Sequence, residues 1–275
     1  MTEAADERLE AGLRLDEQGP VATITLCRPE SRNAQSPRMW EVLAEIAETL
    51  SPDVRVAVIR AEGKSFSAGL DTRMFTPEGI PGDTSFAELV ELDDLAMAEQ
   101  ISTFQEAFSA WRRPDLISIA AVQGHAVGAG FQLALACDLR VCAADAMFSM
   151  RETSLGLVPD LGGTQPLVEA VGYSRALEIC VTGRWVDAQE AREIGLATIV
   201  VPPDDLEAAT SDLAEALTAP PREAVTATKA LLRTATGRSY TDQLAAERMS
   251  QVRRLRALVD ALAAGAAGQS GNKGG

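Results

Sequence analysis

The chain carries a single histidine. Chemistry that needs two imidazoles is therefore excluded, and a zinc site of the usual histidine-containing kind is disfavoured. Cysteine is scarce too. Cys27, Cys137, Cys142 and Cys180 form no CxxC pair, and three of them sit inside apolar runs. They read as buried, reduced thiols, not as disulfides or metal ligands. Positive charge is in deficit: 25 Lys and Arg stand against 40 Asp and Glu, a formal net charge of -15. Such a field repels nucleic acid and anionic membrane, so neither is expected as a partner. No apolar run reaches membrane-spanning length, and the acidic start Met1-Thr2-Glu3-Ala4-Ala5-Asp6-Glu7 lacks a signal-peptide core. The expected location is the cytoplasm.

What is present suits a globular enzyme. Hydrophobic residues make up 46% and charged residues 24% of 275 positions, enough to bury a large core. Val21–Leu26, Val54–Arg60 and Ile117–Val122 are short β-branched runs that predict strands. Pro37–Leu50 has apolar residues at helical spacing, with Ser36 as its start signal. Phe86–Trp111 predicts one long helix after a turn-rich loop, Thr76–Ser85, which is expected to be the most mobile segment. Alternating strands and helices predict an α/β layered core. The character changes after Pro202-Pro203, where Leu206–Leu217, Arg222–Thr234 and Tyr240–Ala264 read as helices. The expected organisation is a core over 1–201, a helical region over 202–264 and a flexible Gly/Ala/Ser-rich tail over 265–275.

Two small-residue segments carry the chemistry: Ser65-Phe66-Ser67-Ala68-Gly69-Leu70-Asp71 and Gly124-His125-Ala126-Val127-Gly128-Ala129-Gly130. Each follows a strand-like run and precedes a helix-like run, where bare backbone N–H groups face outward and accept an anion. Two such groups converging on one oxygen make an oxyanion hole without a charged side chain. For the second segment alone, close helix packing explains the glycines equally well. Downstream come two acids, Glu152 and Asp160. Backbone donors for an enolate plus carboxylates for its proton suit chemistry beside a thioester carbonyl.

This pattern resembles the crotonase, or enoyl-CoA hydratase/isomerase, family. The resemblance runs from Leu26-Cys27-Arg28-Pro29-Glu30-Ser31-Arg32-Asn33-Ala34 through both Gly/Ala segments. It continues through Gly156-Leu157-Val158-Pro159-Asp160-Leu161-Gly162-Gly163-Thr164 to Ala188-Gln189-Glu190-Ala191-Arg192-Glu193-Ile194-Gly195-Leu196. It implies a spiral of ββα turns with a C-terminal α-helical oligomerisation region, and a homotrimer or a dimer of trimers. The implied substrate is an acyl-CoA thioester, with coenzyme A as part of the substrate and no separate cofactor or metal. The implied oxyanion donors are the N–H groups of Leu70 and Ala129. Arg28, Arg32, Ala68, Asp71 and Arg73 are the candidates for holding coenzyme A, with Lys64 adding to the basic patch; for Asp71 a helix-capping role is favoured over catalysis. His125 is expected to serve packing or the loop, and Asp138 structure.

The acids choose the reaction. Family hydratases hold one water between two glutamates; the second matches Glu152, but the first matches Gln132. A Gln amide orients water or substrate and cannot take a proton at neutral pH. Asp160 stands where family isomerases often carry an aspartate and hydratases commonly carry glycine. Double-bond isomerisation of an enoyl- or dienoyl-CoA by Glu152 and Asp160 is therefore the leading expectation. A 2-enoyl-CoA hydratase using Glu152 is the alternative, and a non-catalytic acyl-CoA-binding protein the third. Asp160 as a plain turn residue before Gly162-Gly163 remains the bland reading.

Overall fold

The computed structural model describes residues 3–271, with side-chain environments over 4–262. The chain divides into two compact units, Met1–Leu217 and Thr218–Gly275.

The first unit opens with α1 (Glu3–Glu10), then the hairpin strands β1 (Leu13–Gln18) and β2 (Val21–Leu26), then α2 (Pro37–Thr49). The Ser36 hydroxyl caps α2 by accepting from the Met39 N–H, and Pro37 occupies the first turn, where no N–H is needed. β3 (Val56–Ala61) leads to α3 (Phe86–Val90) and α4 (Asp94–Ser109). The next turn of chain is β4 (Ile117–Val122), β5 (His125–Val127) and α5 (Ala129–Ala136). β6 (Leu139–Ala143) and β7 (Met147–Ser149) precede α6 (Thr164–Val171) and α7 (Tyr173–Thr182), and β8 (Val186–Asp187), α8 (Ala188–Glu193) and β9 (Ile199–Val201) lead to α9 (Leu206–Thr218).

Each turn contributes one strand to a six-stranded sheet, ordered β1-β2-β3-β4-β6-β9. Within this sheet, among the described residues, only the β1–β2 pair is antiparallel. A second small layer holds β5, β7 and β8, extended by a parallel bridge from Ser67 to Ala126. This is the spiral of ββα turns that the resemblance implies. The parallel strands are near-continuous apolar runs because both faces of the sheet are covered. Ala57, Ile59, Ala120, Val122 and Cys142 face the main core, while Val56, Val58, Ile119, Ala121 and Val141 face the opposite way and meet Ala214 of α9. Leu206, Ala209, Leu213 and Leu217 complete that second cover. Thus α9 belongs to the first unit, and the compact division falls later than the boundary expected after residue 201.

The single helix expected over Phe86–Trp111 is two helices and a short terminal turn. Ser85 and Glu88 form a reciprocal capping box at α3. Asp93 then starts α4 afresh by accepting from the Leu95 and Ala96 N–H groups. Phe104 and Phe108 of α4 pack on Trp40, with ring centroids 5.2 and 5.9 Å away, so they are core.

The second unit contains α10 (Arg222–Ala235) and α11 (Tyr240–Gly271). Gln243 of α11 donates to the Leu231 carbonyl of α10. The α11 backbone is helical through 271, into the segment expected as a tail; residues 272–275 lie outside the described residues. Among the described residues no helix is long and apolar enough to cross a membrane.

Candidate active site

The two Gly/Ala segments lie backbone against backbone. The Ser67 N–H donates to the His125 carbonyl and the Val127 N–H to the Ser67 carbonyl, at 2.9 and 3.0 Å. Gly69 adopts φ +90, and a methyl group built on it would lie 2.5 Å from the Val127 oxygen and 3.6 Å from the Ala129 nitrogen. A methyl on Gly130 would meet the Ser67 carbonyl at 2.6 Å. Gly130 therefore serves close packing, and that packing brings the Leu70 and Ala129 segments together. The chain's parallel bridge between Gln35 and Leu70 uses the N–H groups of Gln35 and Asp71. The Leu70 N–H is left over. Ala129 opens α5, where a first-turn N–H has no helical acceptor. Among the described residues neither the Leu70 nor the Ala129 N–H donates to protein. Two free donors on adjacent segments, one of them at a helix N-terminus, are what an oxyanion hole requires.

A network that sequence reasoning missed holds the first segment in place. Asn33 sits at φ 54, a left-handed conformation that costs about 1 kcal/mol or more outside glycine. In return its side chain accepts from the Arg28 N–H and donates to the Glu62 and Ser65 carbonyls, each at 2.9 Å. The Ser67 hydroxyl donates to the Asn33 carbonyl and accepts from the Gly69 N–H and from Gln35. Asn33 lay inside the quoted motif, but nothing in its spacing announced this task.

The carboxylates enter from the other side. Glu152 begins a short 3-10 turn, Glu152–Leu155, directly after β7. Its Oε1 accepts from Gln132 Nε2 at 2.7 Å, while its Oε2 is buried with no partner among the described residues. A methyl on Gly128 would lie 3.3 Å from Glu152 Oε1, so the acid stands beside the residue that precedes the Ala129 donor. Burial raises the Glu152 pKa above the usual glutamate value, and the nearby Asp160 charge adds to the rise. The hydrogen bond from Gln132 and the backbone N–H groups of Glu152 and Arg151 act in the opposite direction. Asp160 is exposed, yet the protein around it raises its pKa by desolvation. Gln105 of α4 holds its backbone, donating to the Asp160 carbonyl at 2.6 Å. Glu152 and Asp160 thus share one electrostatic neighbourhood, beside the donor loops on the Glu152 side.

Gln132 is buried in α5, and its amide orientation is fixed by its partners. Its Oε1 accepts from the Leu161 and Gly163 N–H groups at 2.9 and 3.3 Å, which turns Nε2 onto Glu152. Through that bond it orients the acid.

The expected coenzyme A residues divide. Arg32 is exposed, at φ 53, and its carbonyl accepts from the Ala68 N–H at 2.9 Å. Asp71 is buried, caps the short turn Thr72–Phe75 through the Arg73 N–H, and takes a two-pronged ion pair from the Arg73 guanidinium, closest at 2.7 Å. That partner holds the Asp71 carboxyl below its usual pKa. Arg28 is half-buried and donates to the Ala34 carbonyl; its Nε is buried without a partner, and desolvation lowers its pKa. Its guanidinium packs against Gly12. His125 is exposed and sets its ring edge-on to Trp185 at 5.3 Å. Asp138 accepts from the Ser118 N–H and hydroxyl, a structural role.

Comparison with known proteins agrees with this geometry. A family model described as enoyl-CoA hydratase/isomerase matches residues 16–257. A putative enoyl-CoA hydratase from Thermobifida fusca YX, solved in complex with CoA, is 46% identical; the match covers 93% of this chain and 97% of that one, with a TM-score of 0.89. The same organism's putative enoyl-CoA hydratase in complex with acetoacetyl-CoA is 47% identical, covering 92% and 98%, with a TM-score of 0.88. The mitochondrial Delta(3,5)-Delta(2,4)-dienoyl-CoA isomerase of Dictyostelium discoideum is 32% identical over 187 residues, 67% of this chain and 63% of its own length. With paired backbone donors, a glutamate whose Oε2 is buried beside them, and these relatives, the chain belongs to the enoyl-CoA hydratase/isomerase, or crotonase, family of acyl-CoA enzymes.

Proposed function

We propose that the protein moves a double bond in an enoyl- or dienoyl-CoA. The observation that carries this reading is the direct Gln132–Glu152 hydrogen bond at 2.7 Å. A water held between these two positions has no room while they touch. The position that supplies a second carboxylate in family hydratases instead supplies an amide that is already committed. Glu152 Oε2, buried and unpartnered, is free to exchange a proton with substrate.

In this reading the thioester oxygen accepts from the Leu70 and Ala129 N–H groups. Removal of a proton from the substrate carbon by a carboxylate places the electron pair in a dienolate, whose negative oxygen those donors stabilise. The acid then returns a proton to a different carbon, and the double bond has moved with no water consumed. Raised carboxyl pKa values favour the exchange, because a proton carrier works best near the operating pH. Acetoacetyl-CoA and CoA bound to the Thermobifida proteins support an acyl-CoA ligand. Exposed Arg32 and Lys64, with Arg73, supply cations for its phosphates against the chain's negative field.

The second reading is a 2-enoyl-CoA hydratase with Glu152 as its lone acid/base, favoured by the hydratase names of the Thermobifida proteins. A substrate panel of 2-enoyl, 3-enoyl and dienoyl-CoA in ¹⁸O-labelled water separates the two. Isomerisation without label in the product is expected; fast label uptake from 2-enoyl-CoA with no bond migration overturns the isomerase reading. No α-proton exchange in D₂O with any thioester would leave a non-catalytic acyl-CoA-binding protein. Assembly as a homotrimer or dimer of trimers is proposed with it. The exposed apolar residues Tyr173, Leu177 and Val181 on α7, and Leu255, Leu258 and Leu262 on α11, support it. A stable monomer in sedimentation at micromolar concentration would refute that assembly.

A further inference from the structure

We infer that Gln132 is a positioning residue that saturates one oxygen of Glu152, so that the catalytic proton travels on Oε2 alone. This rests on Glu152 being the proton carrier, and not on which net reaction follows.

The geometry has three parts. First, Gln132 cannot turn over. Its oxygen is held by two backbone donors, Leu161 and Gly163, and a flip would set its NH₂ against both N–H groups. Second, a methyl on Gly163 would lie 2.7 Å from Gln132 Cγ, so the side chain is also clamped sterically. Third, the donated hydrogen bond occupies Glu152 Oε1 and leaves Oε2 as the unpartnered atom. One amide therefore performs two tasks. It ties α5 to the loop carrying Asp160, and it presents a single oxygen of Glu152.

The bond also tunes that acid. A donor to a carboxylate favours the charged form, so Gln132 opposes the rise imposed by burial. The titratable groups facing Glu152 are Asp160 from the 156–163 loop and the Cys180 thiol on α7, whose own pKa burial and Glu152 push up. Neighbouring Arg151 lays its guanidinium over the Trp185 ring at 5.3 Å. Gln132 thus adds a side-chain donor to the backbone N–H of Glu152 in favouring the charged form.

Two variants separate this role from mere loop pinning. Gln132→Met keeps the length and removes both donor and acceptor. Gln132→Glu keeps an acceptor for Leu161 and Gly163 and replaces the fixed amide donor by a second carboxyl, which donates to Glu152 only while it holds a proton. The readouts are the ¹³C titration of the Glu152 carboxyl, assigned by its loss in Glu152→Gln, and α-proton exchange of a bound acyl-CoA in D₂O. For Gln132→Met the Glu152 midpoint and the acid limb of exchange should move to higher pH. Its kcat should fall roughly 10- to 100-fold, the range for a hydrogen bond to a charged group, with KM little changed. Gln132→Glu should recover thermal stability lost in the Met variant, and its acid limb should also move to higher pH, because two touching carboxyls do not ionise together. An unmoved Glu152 midpoint in Gln132→Met, or full activity with an unmoved acid limb in Gln132→Glu, overturns the inference. Should the Met variant fail to fold, the Gln132 side-chain N–H resonance of the wild-type protein decides: it should shift with the Glu152 titration, and a pH-independent resonance overturns the inference. Wild-type exchange without bond migration would sink the isomerase reading and leave Gln132's role standing.

Discussion

The oxygen-binding half of the site and the proton-moving half are built by different means. The first, 65–71 and 124–130, presents main-chain N–H groups, and its side chains are almost all small. The second, 152–163 with Gln132, presents side chains whose protonation is set by burial, by their mutual charge and by hydrogen bonds from Gln132 and the backbone. A backbone donor is the same whatever residue carries it, so the first half is indifferent to the reaction and needs only its geometry. A carboxylate exchanged for an amide or glycine alters the chemistry outright. The contrast locates family membership in one half and reaction choice in the other.

Glu152→Gln should strike hardest. It removes the proton carrier while keeping the bond from Gln132, so exchange and isomerisation should fall by about 10²–10⁴-fold. Acyl-CoA binding by calorimetry should persist; lost binding would mean that the halves are not separable. Gly69→Ala attacks the other half. Its φ of +90 and the 2.5 Å approach to the Val127 oxygen force the backbone apart. Every reaction on every thioester should drop together, by about 10²–10³-fold as for a lost oxyanion donor. A selective loss would place reaction choice in the backbone half and break the comparison. Asp160→Asn should lower isomerisation by at least about 10²-fold, with a smaller effect on α-proton exchange, which Glu152 sustains. Intact isomerisation would make Asp160 a turn residue and bring the hydratase forward.

The smallest effect concerns stability. The folded Glu152 pKa lies above its unfolded value, so the folded state holds the proton more tightly. Its ionisation therefore weakens the fold as pH rises from the ordinary glutamate value, with the full cost present above the raised pKa. Glu152→Gln should raise Tm at neutral pH by a few degrees, at about 2–4 °C per kcal/mol for a chain of this size. Below the ordinary glutamate value the gain should vanish. An equal gain at all pH values would show that the charge is not its cause.

Legibility followed the same divide. Val21–Leu26 and Ile117–Val122 are observed where the sequence places them, because each is an apolar run bounded by turn residues. The break between α3 and α4 was hidden, since helical spacing of apolar residues continues across Glu91–Asp93 and only the Asp93 cap marks it. The membership of α9 was hidden as well; an amphipathic helix does not say which surface its apolar stripe will meet. In the site, the Gly/Ala spacing pointed to Leu70 and Ala129 directly. Gln132 looked like an orienter of water, because its contact with Glu152 exists only after α5 and β7 have been folded together.

The burial of α5 has one more consequence. All eight of its residues are buried. At its C-terminal end the buried Arg140 guanidinium donates to the Ala134 and Cys137 carbonyls, and it makes no ion pair among the described residues. The partial negative end of the helix is thereby grounded by a full positive charge, while the partial positive end at Ala129 has beside it only Glu152, an acid whose burial raises its pKa and so disfavours its charge. The helix behaves as a one-ended electrode. A protein whose overall charge pushes anions away keeps, at the one point where an anion must form, a fixed field of the opposite sign that bulk salt reaches poorly.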